Sequence, residues 1–121
     1  MHPVIEFKTK MFDISKEEKN PINPIYGKSL LEWLSEKSRG QIQVPEPDYE
    51  DWGWYSDITW NGRSYMLGAS SDDGETWFLQ IDKERSLIEK LLGKEKISDR
   101  EEIWQYFLSL LKSESQFTNF N

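Results

Sequence analysis

The sequence predicts an α+β fold: one antiparallel sheet of about four strands with helices packed on one face, in the order β-α-β-β-β-α-α. Three observations carry this expectation. Two aromatic runs alternate on either side of Asn61-Gly62. Leucine-rich stretches at helical spacing flank that region. The strands come in a run rather than alternating with helices, which favours an antiparallel sheet over a parallel one. At 121 residues, the chain has the length of one domain, 1–121, and is long enough to bury a core.

The hairpin is the strongest element. Both residues of Asn-Gly tolerate the positive φ that a type I′ turn needs at its two central positions. A two-residue loop pairs Trp60 with Arg63, Ile58 with Tyr65, Ser56 with Leu67 and Trp54 with Ala69. Alternation then sets Trp52, Trp54, Ile58, Trp60, Tyr65, Leu67 and Ala69 on a core face. Tyr55, Asp57, Thr59, Ser64 and Met66 fall on the other face. A slip of one residue would turn the whole apolar set outward, so burial holds the register.

The remaining elements follow in chain order. Val4–Phe12 alternates Ile5, Phe7, Thr9 and Met11 against Glu6, Lys8 and Lys10, the pattern of a half-buried edge strand. Residues 13–19 read as a loop or short turn. The two Asn-Pro steps of residues 20–27 disfavour helix and pre-set turns. That segment reads either as a rigid binding loop or as a strand-to-helix connector. Ser29 and Glu32 form a capping box for a helix buried through Leu30, Leu31 and Leu34, with Gly40 as the C′ residue that ends it. Residues 41–50 read as an extended acidic linker. Residues 71–75 form a turn into a third strand, Thr76–Asp82, with Trp77, Leu79 and Ile81 inward. Asp82 can cap a helix running to about Leu92. A second box, Ser98 to Glu101, opens a last helix with Ile103, Trp104, Phe107, Leu108 and Leu111 inward. The tail, 113–121, is polar but holds Phe117 and Phe120, which leaves fraying and docking both open.

Composition narrows the chemistry. There is no Cys and the single His is His2. Disulfides, thiolate metal sites and Cys nucleophiles are excluded, and any His-dependent triad or metal site would rest on a residue beside the chain end. No phosphate-cradling glycine motif is present. No catalytic residue, cofactor or metal ligand is assigned, and no enzyme activity is expected. The absence of a long apolar run or a signal-like apolar segment predicts a cytoplasmic protein that does not enter the membrane.

Charge is uneven. Net charge is −7. Residues 41–82 hold nine acids against the single base Arg63, whereas seven bases nearly balance six acids before them and seven balance seven after them. Such a surface disfavours direct nucleic-acid binding and favours a partner with a basic surface. Continuing the hairpin register sets Asp51 opposite Asp72. Asp48, Glu50, Asp51, Asp72, Asp73 and Glu75 then converge at one end of the sheet. Four readings compete: a solvated acidic rim, a docking patch for a basic partner, a hard-cation site and a carboxylate-pair hydrolase. The last needs two acids whose pKa values are split by environment, which exposed loop acids do not supply.

The stretches NPINPIYGKSLLEWL, EDWGWYSDITWNGRSYMLGAS and WFLQIDKERSLIEKLLGK resemble a family of small bacterial proteins, over about residues 5–95. That resemblance implies a compact single domain; it brings no known activity, so it transfers no site residue. The expectation from the residues is a non-enzymatic acidic protein of the inhibitor, immunity or anti-defence kind. In it, the six acids steer a basic protein partner, and Tyr49, Trp52 and Tyr55 anchor it. The alternative is a domain that binds a small ligand or cation between the Asn-Pro loop and the Trp-rich sheet.

Overall fold

The computed structural model describes residues 4–83 and 101–121. It has an α+β architecture with five strands: β1 (Val4–Lys8), β2 (Asp48–Glu50), β3 (Gly53–Trp60), β4 (Arg63–Ser70) and β5 (Thr76–Lys83). All neighbours pair antiparallel, in the order β1-β5-β4-β3-β2. Two helices are described, α1 (Lys28–Lys37) and α2 (Glu102–Lys112).

The β3–β4 register is the expected one, from Trp60↔Arg63 to Trp54↔Ala69. Asn61 and Gly62 have φ of 49° and 78°, as a type I′ loop requires. Trp54, Ile58, Tyr65, Leu67 and Ala69 are buried, with Trp77, Leu79 and Ile81 of β5 and Ile5 and Phe7 of β1. Leu30, Leu31 and Leu34 of α1 and Ile103, Trp104, Phe107 and Leu111 of α2 join the same cluster. Both helices therefore cover one face of the sheet.

The fifth strand corrects the linker reading of residues 41–50. Ile42 and Val44 are buried in the core, and the chain then pairs Asp48 with Tyr55 and Glu50 with Gly53. The segment has no alternating apolar face, because all three β2 residues are exposed. Its strand character comes from its neighbour, not from its own pattern.

Helix ends also differ from expectation. The helix α1 starts one residue before Ser29, behind Gly27, and no side chain of its own caps it. Glu17 does so from outside: its two carboxylate oxygens accept the backbone N–H groups of Gly27 and Ser29, each at 2.9 Å. A buried carboxylate at a helix N-terminus satisfies orphan donors and meets the positive end of the dipole. Gly27 also permits close packing, since a Cβ there would lie 2.3 Å from the Ala69 carbonyl oxygen. At the other end Ser38 is the C-cap, and Gly40, with φ of 88°, lies one position beyond C′. The N-cap of α2 is Glu101.

Strand β5 runs through Lys83, so Asp82 is a strand residue rather than a cap. Lys83 instead pairs with Glu101 at 2.8 Å, joining β5 to the start of α2. The expected helix to Leu92 and the residues Ser98–Arg100 lie outside the described residues.

Strand β1 is shorter than Val4–Phe12, and the chain end shields its outer side. Lys8 bridges Thr118, and Glu6 exchanges backbone hydrogen bonds with Asn121. Phe117 is buried, with its ring 4.7 Å from that of Phe7 and 4.8 Å from that of Trp33. Docking, not fraying, is what the tail does.

Candidate binding surface

The Asn-Pro loop is tied down by its asparagines. Asn20 is buried. Its side-chain amide donates to the carbonyls of Glu50 (2.8 Å) and Gly53 (3.0 Å), and its Oδ1 accepts from the backbone of Ile22 (2.9 Å) and Asn23 (3.3 Å). Asn23 donates to the Asp51 carbonyl at 2.7 Å. Further along, Tyr26 exchanges two backbone hydrogen bonds with Ser71. Two proline-fixed turns and these bonds hold the loop against the β2–β3 turn with little freedom left. Binding loop and connector were the two expectations; the loop is a connector whose outer side remains open.

That docking decides which apolar groups face solvent. The exposed large hydrophobic residues among those described are Val4, Ile22 and Tyr49, at 39%, 53% and 44% exposure. Ile22 sits on the loop and Tyr49 on β2, the two segments joined by Asn20. The Tyr49 ring stands edge-on to Trp54, 6.2 Å between centroids, and Trp54 Nε1 donates to the Ile25 carbonyl. A cleft of about 400 Å³ opens in the loop, lined by Asn20, Ile22, Pro24, Ile25 and Tyr26 among others.

Lys28 anchors the same corner from below. It pairs with Glu18 at 2.7 Å and Glu46 at 3.1 Å, and its ammonium lies 5.5 Å from the Trp54 ring centroid. The hydrogen bond to Glu18 leads the causes that hold its pKa above the usual lysine value, with Glu46 adding to it.

The acids sit at two different turns. The β3–β4 ladder ends at Trp54↔Ala69, and Ser71 pairs with Tyr26 where Trp52 was expected. The chain folds back through Asp51 and Trp52 into β2, so the pairing that would set Asp51 opposite Asp72 is not formed. Two sets result. Asp48 and Glu50 on β2, with Asp57 on β3, surround Tyr55 and raise its phenol pKa, Asp48 most strongly. That hydroxyl stays a donor throughout the ordinary pH range. Asp72, Asp73 and Glu75 belong to the β4–β5 turn. There Asp73 is structural: its Oδ1 accepts the N–H groups of Thr76 and Glu75, each at 2.8 Å, and these bonds hold its carboxyl below the usual range. Glu75 pairs with Lys10 at 3.2 Å. Among the described residues no group of three or more acids or histidines is disposed to hold a metal ion.

Trp52 also changes sides. Its ring lies over Gly68, where a Cβ would come within 2.7 Å of it. Gly68 shares the second face with Tyr55, so Trp52 leaves the core face to which simple alternation assigned it. The cause is Gly53. Its φ of 152° is one that residues with a side chain rarely adopt, and a Cβ would meet the Ala69 carbonyl oxygen at 2.4 Å. Half-buried Trp52, Tyr55, Met66 and Phe78 thus share the second face.

The expected site residues therefore divide. Asp48, Tyr49, Glu50, Asp51, Trp52 and Tyr55 come together at the β2–β3 corner. Asp72, Asp73 and Glu75 form a separate turn. Sequence reasoning missed Ile22, Asn20 and Asn23 as parts of the corner. The repeated Asn-Pro with an isoleucine between was the available signal. A scan against family models and searches of curated proteins and of solved structures find no match to this chain. The family resemblance gains no support from them, and geometry alone describes the site.

Proposed function

We propose that this is a non-enzymatic binding protein whose β2–β3 corner captures a basic protein partner, in the manner of small acidic inhibitors. One observation carries the reading: Ile22 and Tyr49 stand exposed on two segments locked together by Asn20, and the same β2–β3 corner carries Asp48, Glu50 and Asp51. Rigid apolar anchors on a corner that also carries like charges suit this task. The charges speed encounter and reject acidic partners, and the anchors supply affinity once water is expelled. Locking the loop beforehand reduces the ordering cost of association.

The test is affinity capture from native lysate with wild type, Tyr49→Ala, Ile22→Ser and the double charge reversal Asp48→Lys/Glu50→Lys, all checked for unchanged melting. The expected result is a basic protein retained by wild type, weakened about thirtyfold by Tyr49→Ala and lost on charge reversal. Equal retention by the charge-reversed variant sinks the proposal.

A second reading, binding of a small ligand, draws on the loop cleft and its apolar lining. It predicts a raised melting temperature with a cation or a metabolite. The first reading predicts flat melts across Ca²⁺, Mg²⁺ and a metabolite panel.

A further inference from the structure

The two edges of the sheet are finished differently. On β1 the outward backbone groups of Glu6 and Lys8 are paired with Asn121 and Thr118. On β2, the last strand at the other side, no described backbone pairs with the outer edge. In an antiparallel pair every second residue turns its N–H and C=O away from its partner. Tyr49 is that residue, and its N–H is taken by the carboxylate of its neighbour, Asp48 Oδ1, at 2.8 Å.

We propose that the partner's contacting segment is extended and basic, and that it adds to the sheet as a strand along the outer edge of β2. This deepens the reading above and rests on it. The Asp48 plug can be exchanged. An incoming carbonyl accepts the Tyr49 N–H, and the freed carboxylate turns to a cation on the same incoming strand. Cross-strand neighbours share a face, so the pattern of that strand follows from β2. Asp48 and Glu50 lie on the face of Tyr55 and Asp57, and Tyr49 lies on the face of Trp54. The incoming strand alternates Lys or Arg against the acids with apolar residues against Tyr49. A second copy of this chain is the wrong occupant. Two β2 strands paired antiparallel about Tyr49 set Asp48 opposite Glu50 twice, and like charges directly opposed destabilise a sheet. The edge therefore repels itself while attracting a basic strand, a form of edge protection that also selects a partner.

The full chain is titrated by calorimetry with a short synthetic peptide of alternating Arg and Val, with the same peptide N-methylated on the backbone facing β2, and with a Glu/Val counterpart. Tyr49 amide exchange is followed by NMR. The Arg/Val peptide is expected to bind and to slow Tyr49 exchange about tenfold or more. N-methylation weakens binding about five- to tenfold per hydrogen bond removed, and the Glu/Val peptide does not bind. Tyr49→Pro, which deletes the outward N–H without touching the β2–β3 bonds, weakens binding beyond Tyr49→Ala. If Tyr49→Pro does not fold, the comparison of the two Arg/Val peptides on wild type decides. Equal binding of the methylated peptide, an unprotected Tyr49 amide, or no binding of the Arg/Val peptide overturns strand addition. Capture of a basic protein that is lost on charge reversal would then still stand for the broader reading. Failure of both tests removes both.

Discussion

Single side chains perform tasks here that backbone capping usually performs. Glu17 closes the start of α1 with both oxygens, and Asn20 uses donor and acceptor ends at once. Asp73 closes the β4–β5 turn with one oxygen. Because Asp73 is ionised more readily folded than unfolded, the linkage sign is fixed. Its contribution is complete above the ordinary aspartate value of about 3.9 and fades as pH falls through the lower folded value. Asp73→Ala should cost about 1 kcal/mol at neutral pH, with the deficit shrinking toward pH 3. Urea denaturation of both proteins at the two pH values checks this; a deficit independent of pH would show that the carboxylate charge is not what holds the turn.

At the scale of elements, the Asn-Pro loop and the β2–β3 turn form one unit. Proline fixes φ at two places, and Asn20 supplies what the prolines cannot, partners for the carbonyls of Glu50 and Gly53. Removing its side chain takes away four hydrogen bonds at once, two donated by the amide and two accepted by Oδ1. Asn20→Ala is therefore expected to cost about 2–3 kcal/mol, whereas Ile22→Ser on the same loop changes stability by less than about 0.5 kcal/mol. Thermal melts separate the two. Similar losses would mean that the exposed isoleucine has a packing role and is not free for a partner. This unit was half legible beforehand. The Asn-Pro steps announced turns, but nothing local said that they lean on residues 50–53.

Across the whole molecule, both sheet edges are managed, one by the chain's own tail and the other by charge. Phe117 inserts among Phe7, Phe12 and Trp33, and the backbone from Thr118 to Asn121 closes β1. Phe117→Ala should cost about 3–5 kcal/mol. A chain ending at Ser113 should also associate through the bared β1 edge, seen as a rising weight-average mass in sedimentation or light scattering. A truncated chain that stays monomeric with an unchanged melt would show that the tail is dispensable. No described helix is long and apolar enough to cross a membrane. Among the described residues, two of the three exposed large hydrophobics, Ile22 and Tyr49, lie at the β2–β3 corner.

The sequence by itself determined the hairpin, its register and most of its inward face. Period-two alternation and Asn-Gly turn chemistry act within a few residues, and burial penalises every slip. It also determined where the negative charge lies. Only the tertiary structure decided what that charge surrounds. The expected meeting of Asp51 with Asp72 assumed that the ladder runs on, but Gly53 breaks alternation and Tyr26 takes the place beside Ser71. Strand β2 has no pattern to read, because an exposed edge strand takes its conformation from its neighbour. The contacts that assemble the corner join Asn20 to Gly53, 33 residues apart, and those that close the far edge join Lys8 to Thr118, 110 residues apart. Contacts of that range depend on how packed elements come together, and no local preference encodes them.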